Sequence, residues 1–153
     1  MITEEMIGKN FIQFKKNRID LPYNICDFFI KDNLIFIRID GDLSDELIKK
    51  LRVETKVRLN DSDLKKVNEY ISIINQNIMC FDLDGNLKWK IPKAYIDEAD
   101  QEEIERVGHP YMTTYVYMEI ESENVLMART AYGNRIRVNV ADGALLSRTG
   151  GSK

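Results

Sequence analysis

The chain has 153 residues, of which 44% are hydrophobic, so it can bury one ordinary core and we expect a single domain spanning 1–153. Its formal net charge of −3 lacks the basic excess that nucleic-acid-binding proteins usually show. The first residues carry neither a basic leader nor an apolar stretch of secretory length, and no window approaches 18 uncharged apolar residues. We therefore expect a cytoplasmic protein without a membrane helix.

The chain has two cysteines, Cys26 and Cys80, each inside strand-like sequence. In a reducing compartment such residues are usually small buried thiols. We expect both to be buried and neither to form a disulfide.

The segment Asn77 to Ile91, with the sequence NIMCFDLDGNLKWKI, predicts a β-hairpin. Up to Leu83 it is apolar on nearly both faces, whereas after the turn apolar residues alternate with Lys88 and Lys90, which is typical of an edge strand. Alternating Asp82, Asp84 and Asn86 resemble the start of a calcium-binding EF-hand loop. However, glycine falls at the fourth place and Lys93 at the twelfth, so the Asp-Gly-Asn hairpin turn is favoured.

Two different hairpin sequences each occur twice in the chain. At a spacing of 58 residues the segment Arg135 to Arg148, RIRVNVADGALLSR, overlays the hairpin just described and aligns the two Asp-Gly turns. At a spacing of 91 residues FFIKDNLIFI overlays EIESENVLMA, which aligns Asn33 with Asn124 and Phe36 with Met127. The sequence therefore predicts a duplicated unit of four strands.

We predict an all-β protein with two four-stranded antiparallel meander sheets packed as a β-sandwich or half-propeller. Grouping as four and four is favoured by the long connections, although one eight-stranded up-and-down barrel that binds a small ligand is the alternative. The predicted strands lie at 25–30, 34–39, 77–83, 87–91, 114–120, 124–130, 134–140 and 144–148.

The first unit carries a helical insertion at about 40–76, between its two hairpins. Ser44 with Asp45 and Glu46 is typical of a helix start, and Asp61-Ser62 precedes apolar residues at helical spacing. Those apolar residues are Leu64, Val67, Ile71 and Ile74. We expect this second helix to cover a sheet face.

In a meander, successive connections alternate between the two ends of the sheet. The tight turns near 31–33, 84–86, 121–123 and 141–143 should share one end. The insertion, the 92–113 crossing and the 131–134 turn should share the other. That second end would carry ten of the 25 Asp and Glu residues, grouped in the crossing and at the start of the insertion. The ten are Asp97, Glu98, Asp100, Glu102, Glu103 and Glu105 in the crossing, and Asp40, Asp42, Asp45 and Glu46 in the insertion.

An acidic end built from long loops is typical of a docking surface for a basic protein. The sequence contains no Walker loop, zinc motif or esterase motif, and we expect neither a cofactor, a metal nor an enzyme activity. An enzyme using the single histidine, His109, with Glu102 or Glu105 remains an alternative. RNA binding through Arg135 and Arg137, with Tyr115 and Tyr117 stacking bases, is a further one.

The four-stranded units with an Asp-Gly turn resemble blades of quinoprotein-like or WD40-like β-propellers, although two blades cannot close a ring. The two hairpin segments and the acidic crossing together look like the immunity proteins of bacterial contact-dependent growth inhibition and related polymorphic toxin systems. This resemblance implies a non-enzymatic inhibitor that binds a cognate toxin domain, often a basic nuclease. It implies no direct contact with nucleic acid or membrane. The partner-binding residues would be Asp97, Glu98, Asp100, Glu102, Glu103, Glu105, Asp42, Asp45 and Glu46.

Overall fold

The structure, a computed structural model, describes residues 6–41, 46–47, 59–94, 113–131 and 133–149. It contains a small N-terminal hairpin, two four-stranded antiparallel sheets and a helix. In chain order the elements are β1 Phe11–Gln13, β2 Arg18–Asp20, β3 Asn24–Lys31, β4 Leu34–Asp40, α1 Asp61–Ile74, β5 Ile78–Asp82, β6 Leu87–Lys90, β7 Tyr115–Ser122, β8 Val125–Thr130, β9 Arg135–Asn139 and β10 Leu145–Thr149.

Strands β3 to β6 form the first sheet and strands β7 to β10 form the second, each in meander order. This confirms the predicted four-and-four grouping and makes the eight-stranded barrel wrong, because the two sets of strands belong to separate sheets. The space between the sheets is filled by packed apolar side chains, as in other β-sandwiches. The largest fully buried members are Phe36, Ile78, Ile91, Tyr115, Met118 and Leu126.

The first sheet is also buried on its other face, and the element that covers it is an N-terminal hairpin that the sequence analysis did not predict. Ile12, Phe14 and Leu21 from the N-terminal hairpin pack against a second apolar cluster on that face. The hairpin is tied to the sheet because the Ile25 N–H donates to the Lys9 carbonyl at 2.7 Å. A β1 strand of only three residues is too short to show alternation, so its sequence carries little signal.

Helix α1 begins at Asp61, at the predicted start signal Asp61-Ser62, but the residue that caps it is Asn60. The Asn60 side chain accepts a hydrogen bond from the Asp63 N–H at 2.8 Å and so caps the first turn. Val67 and Ile74 are buried, whereas Leu64 is 39% exposed. The helix contributes Ile73 to the margin of the cluster on the outer face of the first sheet. Most of the cover predicted for this helix is therefore supplied by the N-terminal hairpin.

The pairing of strands corrects one of the two repeat spacings. Phe36 pairs with Cys80 and Leu126 pairs with Val138. Because Cys80 and Val138 are equivalent at 58 residues, Phe36 corresponds to Leu126, a spacing of 90 rather than 91. The spacing is still 91 for Phe29 and Ile120, the partners of these two residues, so it changes within the hairpin, where β7 has a bulge between Ile120 and Ser122. The match of Phe36 with Met127 is therefore wrong, and a slip of one residue exchanges the two faces of a strand.

Candidate docking end of the sandwich

Three of the tight turns meet at one end of the sandwich, which we call the turn end. The Lys31 Nζ donates to the Glu123 carbonyl at 2.6 Å and joins the first hairpin of each sheet. The Val140 N–H donates to the Asn124 carbonyl at 2.9 Å and brings in the last turn. Leu34, which follows the first of these turns, pairs with Asp82, which precedes the 84–86 turn, so the fourth tight turn lies at this end too and the predicted sorting of the short connections is confirmed.

The Asp-Gly-Asn turn at 84–86 is a hairpin turn held by one carboxylate. Asp82 accepts hydrogen bonds from the backbone N–H groups of Asn86 and Asp84, both at 2.9 Å, and from the Asn86 amide at 3.2 Å. The bond from the Asn86 backbone is the largest cause of a lowered Asp82 pKa. Gly85 has a φ of +84°, which the hairpin turn requires. The carboxylate that would begin a calcium loop is thus engaged by its own turn.

The opposite end, which we call the loop end, is organised around the buried side chain of Asn77. Its Nδ2 donates to the carbonyls of Ile39 and Tyr115, both at 2.9 Å, while its Oδ1 accepts from the Tyr115 N–H at 3.1 Å. One amide therefore joins Ile39, the next-to-last residue of β4 in the first sheet, to Tyr115, the first residue of β7 in the second. A fully buried amide with its donors and acceptor satisfied fixes these segments to each other.

Further hydrogen bonds surround Asn77 and hold the ends of the long connections. The Tyr115 hydroxyl donates to the Pro92 carbonyl at 2.7 Å, and the Ala94 N–H donates to the Asn75 carbonyl at 2.6 Å. The Thr114 hydroxyl donates to the Ile74 carbonyl at 2.9 Å. The residues that enter and leave the 95–112 segment are thereby fixed beside the end of the helical insertion.

The entrance to the insertion lies at this end as well. Gly41 accepts a hydrogen bond from the Tyr70 hydroxyl at 2.5 Å, and Tyr70 stacks edge-on against Tyr23 at 5.7 Å between ring centroids. The 131–134 turn joins the same group because the Ala131 N–H donates to the Thr114 carbonyl at 3.0 Å. All the long connections that were expected at the loop end therefore have their described flanks there.

Most of the predicted partner-binding residues lie outside the described residues. Glu46 is described, and it is exposed on helical backbone next to the buried Leu47. Asp40, the last residue of β4, accepts a hydrogen bond from the Gly41 N–H at 2.9 Å. The residues outside the described ranges are Asp42, Asp45, Asp97, Glu98, Asp100, Glu102, Glu103 and Glu105, as well as His109.

The two cysteines differ from the prediction in one respect. Cys80 is fully buried, and burial raises its pKa to about 12, so it is a thiol at neutral pH. Cys26 is exposed, which makes the prediction of burial wrong for this residue. It lies at a bulge in the edge strand β3, between Ile25 and Asp27, where the regular alternation of faces is interrupted. Both cysteines are free, as expected.

The outer face of the second sheet carries the charged side chains that sequence reasoning considered for RNA binding. Arg137 is paired there, since its Nε donates to the Glu121 carboxylate at 2.7 Å and this contact lowers the Glu121 pKa. Tyr117 is 39% exposed on this face. Tyr115 points the other way and is fully buried in the core, so its predicted role in stacking bases is wrong.

Within the ranges that the structure covers, no three His, Cys, Asp or Glu residues are grouped so that they could hold a metal ion. No helix in those ranges is long and apolar enough to span a membrane. Comparison of the chain with protein-family models gives no match, and comparison with curated proteins gives no match either.

Proposed function

We propose that the chain is an immunity protein of a bacterial contact-dependent growth inhibition or polymorphic toxin system. In this proposal it works in the cytoplasm, where it binds a cognate toxin domain and blocks the toxin's substrate site without catalysing a reaction. A basic nuclease is the toxin class whose charge matches the acidic segments.

The observation that supports this proposal most directly is the Asn77 network at the loop end. The 97–105 acids lie in a segment whose flanking residues Pro92, Ala94 and Thr114 are hydrogen-bonded close to Asn77. The acids of 42–46 follow Ile39 and Gly41, whose carbonyls accept hydrogen bonds from Asn77 and Tyr70 respectively. A stiff sandwich with acid-bearing connections rooted at one end suits a binding surface carried on a rigid scaffold.

The proposed mechanism is steric and electrostatic. Carboxylates of the two acidic segments would occupy the place of the substrate phosphates and pair with lysines and arginines of the toxin. Close charge pairs that are buried in an interface can couple by about 1.5–7 kcal/mol, whereas exposed pairs contribute about 0.2–1 kcal/mol. Only a few of the acids should therefore dominate the affinity.

Co-purification with the polypeptide encoded immediately upstream tests the proposal. We expect a complex at low salt that weakens at moderate salt, because charge steers its association. Reversing Glu102 and Glu103 to Lys should weaken the complex by at least about tenfold, if each loses one close interfacial pair.

A matched control reverses Asp84 and Glu123, two exposed acids at the turn end, and produces the same change in net charge. We expect this control to bind the partner like the unmodified protein, apart from a small general salt-dependent effect. Equal weakening by both double variants would contradict docking through the acidic segments. Absence of any complex with the upstream product would contradict the immunity function itself.

A further inference from the structure

The outer face of the second sheet contains two arginines that lie directly opposite each other, and we call Arg129 and Arg135 the arginine pair. Arg129 in β8 is the cross-strand partner of Arg135 in β9. Both side chains are exposed. Their neighbours along each strand, Ala128, Thr130, Asn134 and Ile136, are at most 1% exposed, so alternation directs the arginine pair to the outer face.

The arginine pair differs from Arg137, which lies on the same face. Arg137 is neutralised by Glu121, which sits at the β7 bulge and reaches it at 2.7 Å. Arg129 lies over the ring of Tyr117, with 5.4 Å between its Cζ and the ring centroid. Among the residues that the structure describes, neither member of the arginine pair has a carboxylate partner.

Directly opposed side chains in an antiparallel sheet have Cβ atoms about 4.5–5.5 Å apart, and like charges at this spacing destabilise the sheet. The second sheet thus keeps a repulsive pair although the next row on the same face is neutralised. An anion placed between the two guanidinium groups would replace this repulsion with two charge-assisted interactions. The geometry therefore favours an anionic ligand at this position.

We propose that the arginine pair binds a phosphate group. A phosphate monoester carries a charge of about −1.5 to −2 near neutral pH and offers three terminal oxygens, so it can neutralise two guanidinium groups and accept from both. A carboxylate has a single charge and two oxygens, which one guanidinium fork already satisfies. The phosphate is thus the better match for two opposed arginines.

Tyr117 extends the site along the same cross-strand row, because it pairs with Arg129 in the sheet. Its hydroxyl donates to the Glu119 carboxylate at 2.9 Å, which fixes the ring, and the side chain is 39% exposed. An ordered, exposed aromatic ring can stack on the base of a nucleotide. The phosphate group can therefore come from inorganic phosphate or from a nucleotide, and the presence of Tyr117 predicts tighter binding of the nucleotide.

Nuclear magnetic resonance titration of the isolated full chain tests this site, with inorganic phosphate in one arm and adenosine 5′-monophosphate in the other, at constant ionic strength in chloride. We expect saturable shifts of the Arg129 and Arg135 Nε–H signals in both arms. Arg135→Gln should weaken phosphate binding by about tenfold or more, because it removes charged hydrogen bonds. Arg18→Gln is the control, since it removes the same charge from β2, where Arg18 is paired with Asp20.

A second measurement does not depend on any ligand. In phosphate-free buffer at low salt, Arg135→Gln should raise the urea midpoint of unfolding because it removes the repulsion, and the gain should shrink as salt is added. Arg18→Gln should give no such gain.

Shifts that do not saturate, or that persist unchanged in Arg135→Gln, would overturn the site. A lower urea midpoint for Arg135→Gln at low salt would overturn its electrostatic basis. If adenosine monophosphate binds more tightly than inorganic phosphate, the result supports a nucleotide as the natural source. Equal affinities support a free phosphate. Neither arm requires the toxin. A failure to bind phosphate would therefore not contradict the proposed immunity function, which the co-purification experiment tests separately.

Discussion

The two sheets share strand order and turn positions but differ on their outer faces. In the first sheet the outer face carries Ile35, Ile37, Ile39, Met79 and Phe81, all in the cluster beneath the N-terminal hairpin. The corresponding residues of the second sheet, by the pairing of the strands, are Val125, Met127, Arg129, Arg137 and Asn139. The inner faces, in contrast, are apolar in both sheets.

This difference shows which positions of the duplicated unit are constrained by the fold. The inner face must be apolar in both copies because each sheet buries it against the other. The outer face is apolar throughout only in the first copy, which the N-terminal hairpin covers. In the second copy no element among the described residues covers this face, and it carries charged side chains that include the arginine pair.

Exchanging the side chains of one pair of equivalent outer-face positions should give the largest change in the free energy of unfolding. Met79 is 7% exposed in the first sheet, and its counterpart in the second is Arg137. Met79→Arg places an uncompensated charge under the hairpin and should cost about 3–5 kcal/mol of the free energy of unfolding. Arg137→Met loses one exposed ion pair and should cost about 0–1 kcal/mol. Urea unfolding measures both.

In Met79→Arg the hairpin could separate from the sheet while the rest stays folded. Hydrogen exchange at the Leu21 and Ile25 amides, which donate to the Asn10 and Lys9 carbonyls, would then accelerate while exchange in the rest of the protein stays unchanged. Similar costs for the two variants, with unchanged exchange, would refute the contrast between a covered and an open outer face.

Alanine at the two equivalent turn glycines should give a smaller difference in the free energy of unfolding. Gly143 and Gly85 both have positive φ, +71° and +84°, so alanine at either site should cost about 1–2 kcal/mol in backbone strain. A Cβ at Gly143 would also lie 2.6 Å from Cδ2 of the buried Trp89, adding about 1–3 kcal/mol of overpacking. At Gly85 the nearest atom, at 2.6 Å, is Oδ1 of the exposed Asn17 side chain, which can move.

We therefore expect Gly143→Ala to be the more destabilising of the two in thermal or urea unfolding. Trp89 is the only tryptophan, so its fluorescence should change in Gly143→Ala and remain as in the unmodified protein in Gly85→Ala. Equal stabilities and unchanged emission would show that Trp89 does not pack on the last turn as described.

The smallest expected effect is a pH dependence from the turn carboxylate of the first copy. The folded-state pKa of Asp82 lies below its ordinary value of 3.8, mainly because of the hydrogen bond from the Asn86 backbone. Its stabilising contribution is therefore present above pH 3.8 and is lost as the pH falls through the lower folded value.

Asp82→Asn should remove this part of the acid-range slope in unfolding experiments between pH 5 and 2, a range about the ordinary carboxyl pKa. Asp84→Asn is the control, because it removes a charge from the same turn but leaves the hydrogen bonds of Asp82 in place. An unchanged slope in Asp82→Asn would mean that these bonds do not hold in solution.

Much of the sandwich could be predicted because the duplicated segments carry strong local signals. Apolar alternation placed the eight long strands to within a few residues, as for 34–39 against Leu34–Asp40. The Asp-Gly turns at 84–85 and 142–143 fixed where the last two strands of each unit reverse. Meander order then placed the short connections at one end and the long connections at the other, because consecutive antiparallel strands run in opposite directions.

The candidate site was harder to predict because its contacts join residues far apart in the chain. Asn77 bonds to Tyr115, 38 positions away, and nothing local distinguishes this asparagine from one in a turn. The exposure of Cys26 and the shift from 91 to 90 residues both arise from bulges. A bulge depends on pairing with the neighbouring strand, so periodicity within one strand does not show it.

By itself, the sequence determined the duplicated strand units, their tight turns and the acidic runs at 40–46 and 97–105, since these follow from local periodicity and composition. Tertiary structure decided which outer face is covered, which bulges shift the register and which charges meet across strands. These features depend on contacts between segments distant in the chain. For that reason two copies with the same strand plan present different surfaces.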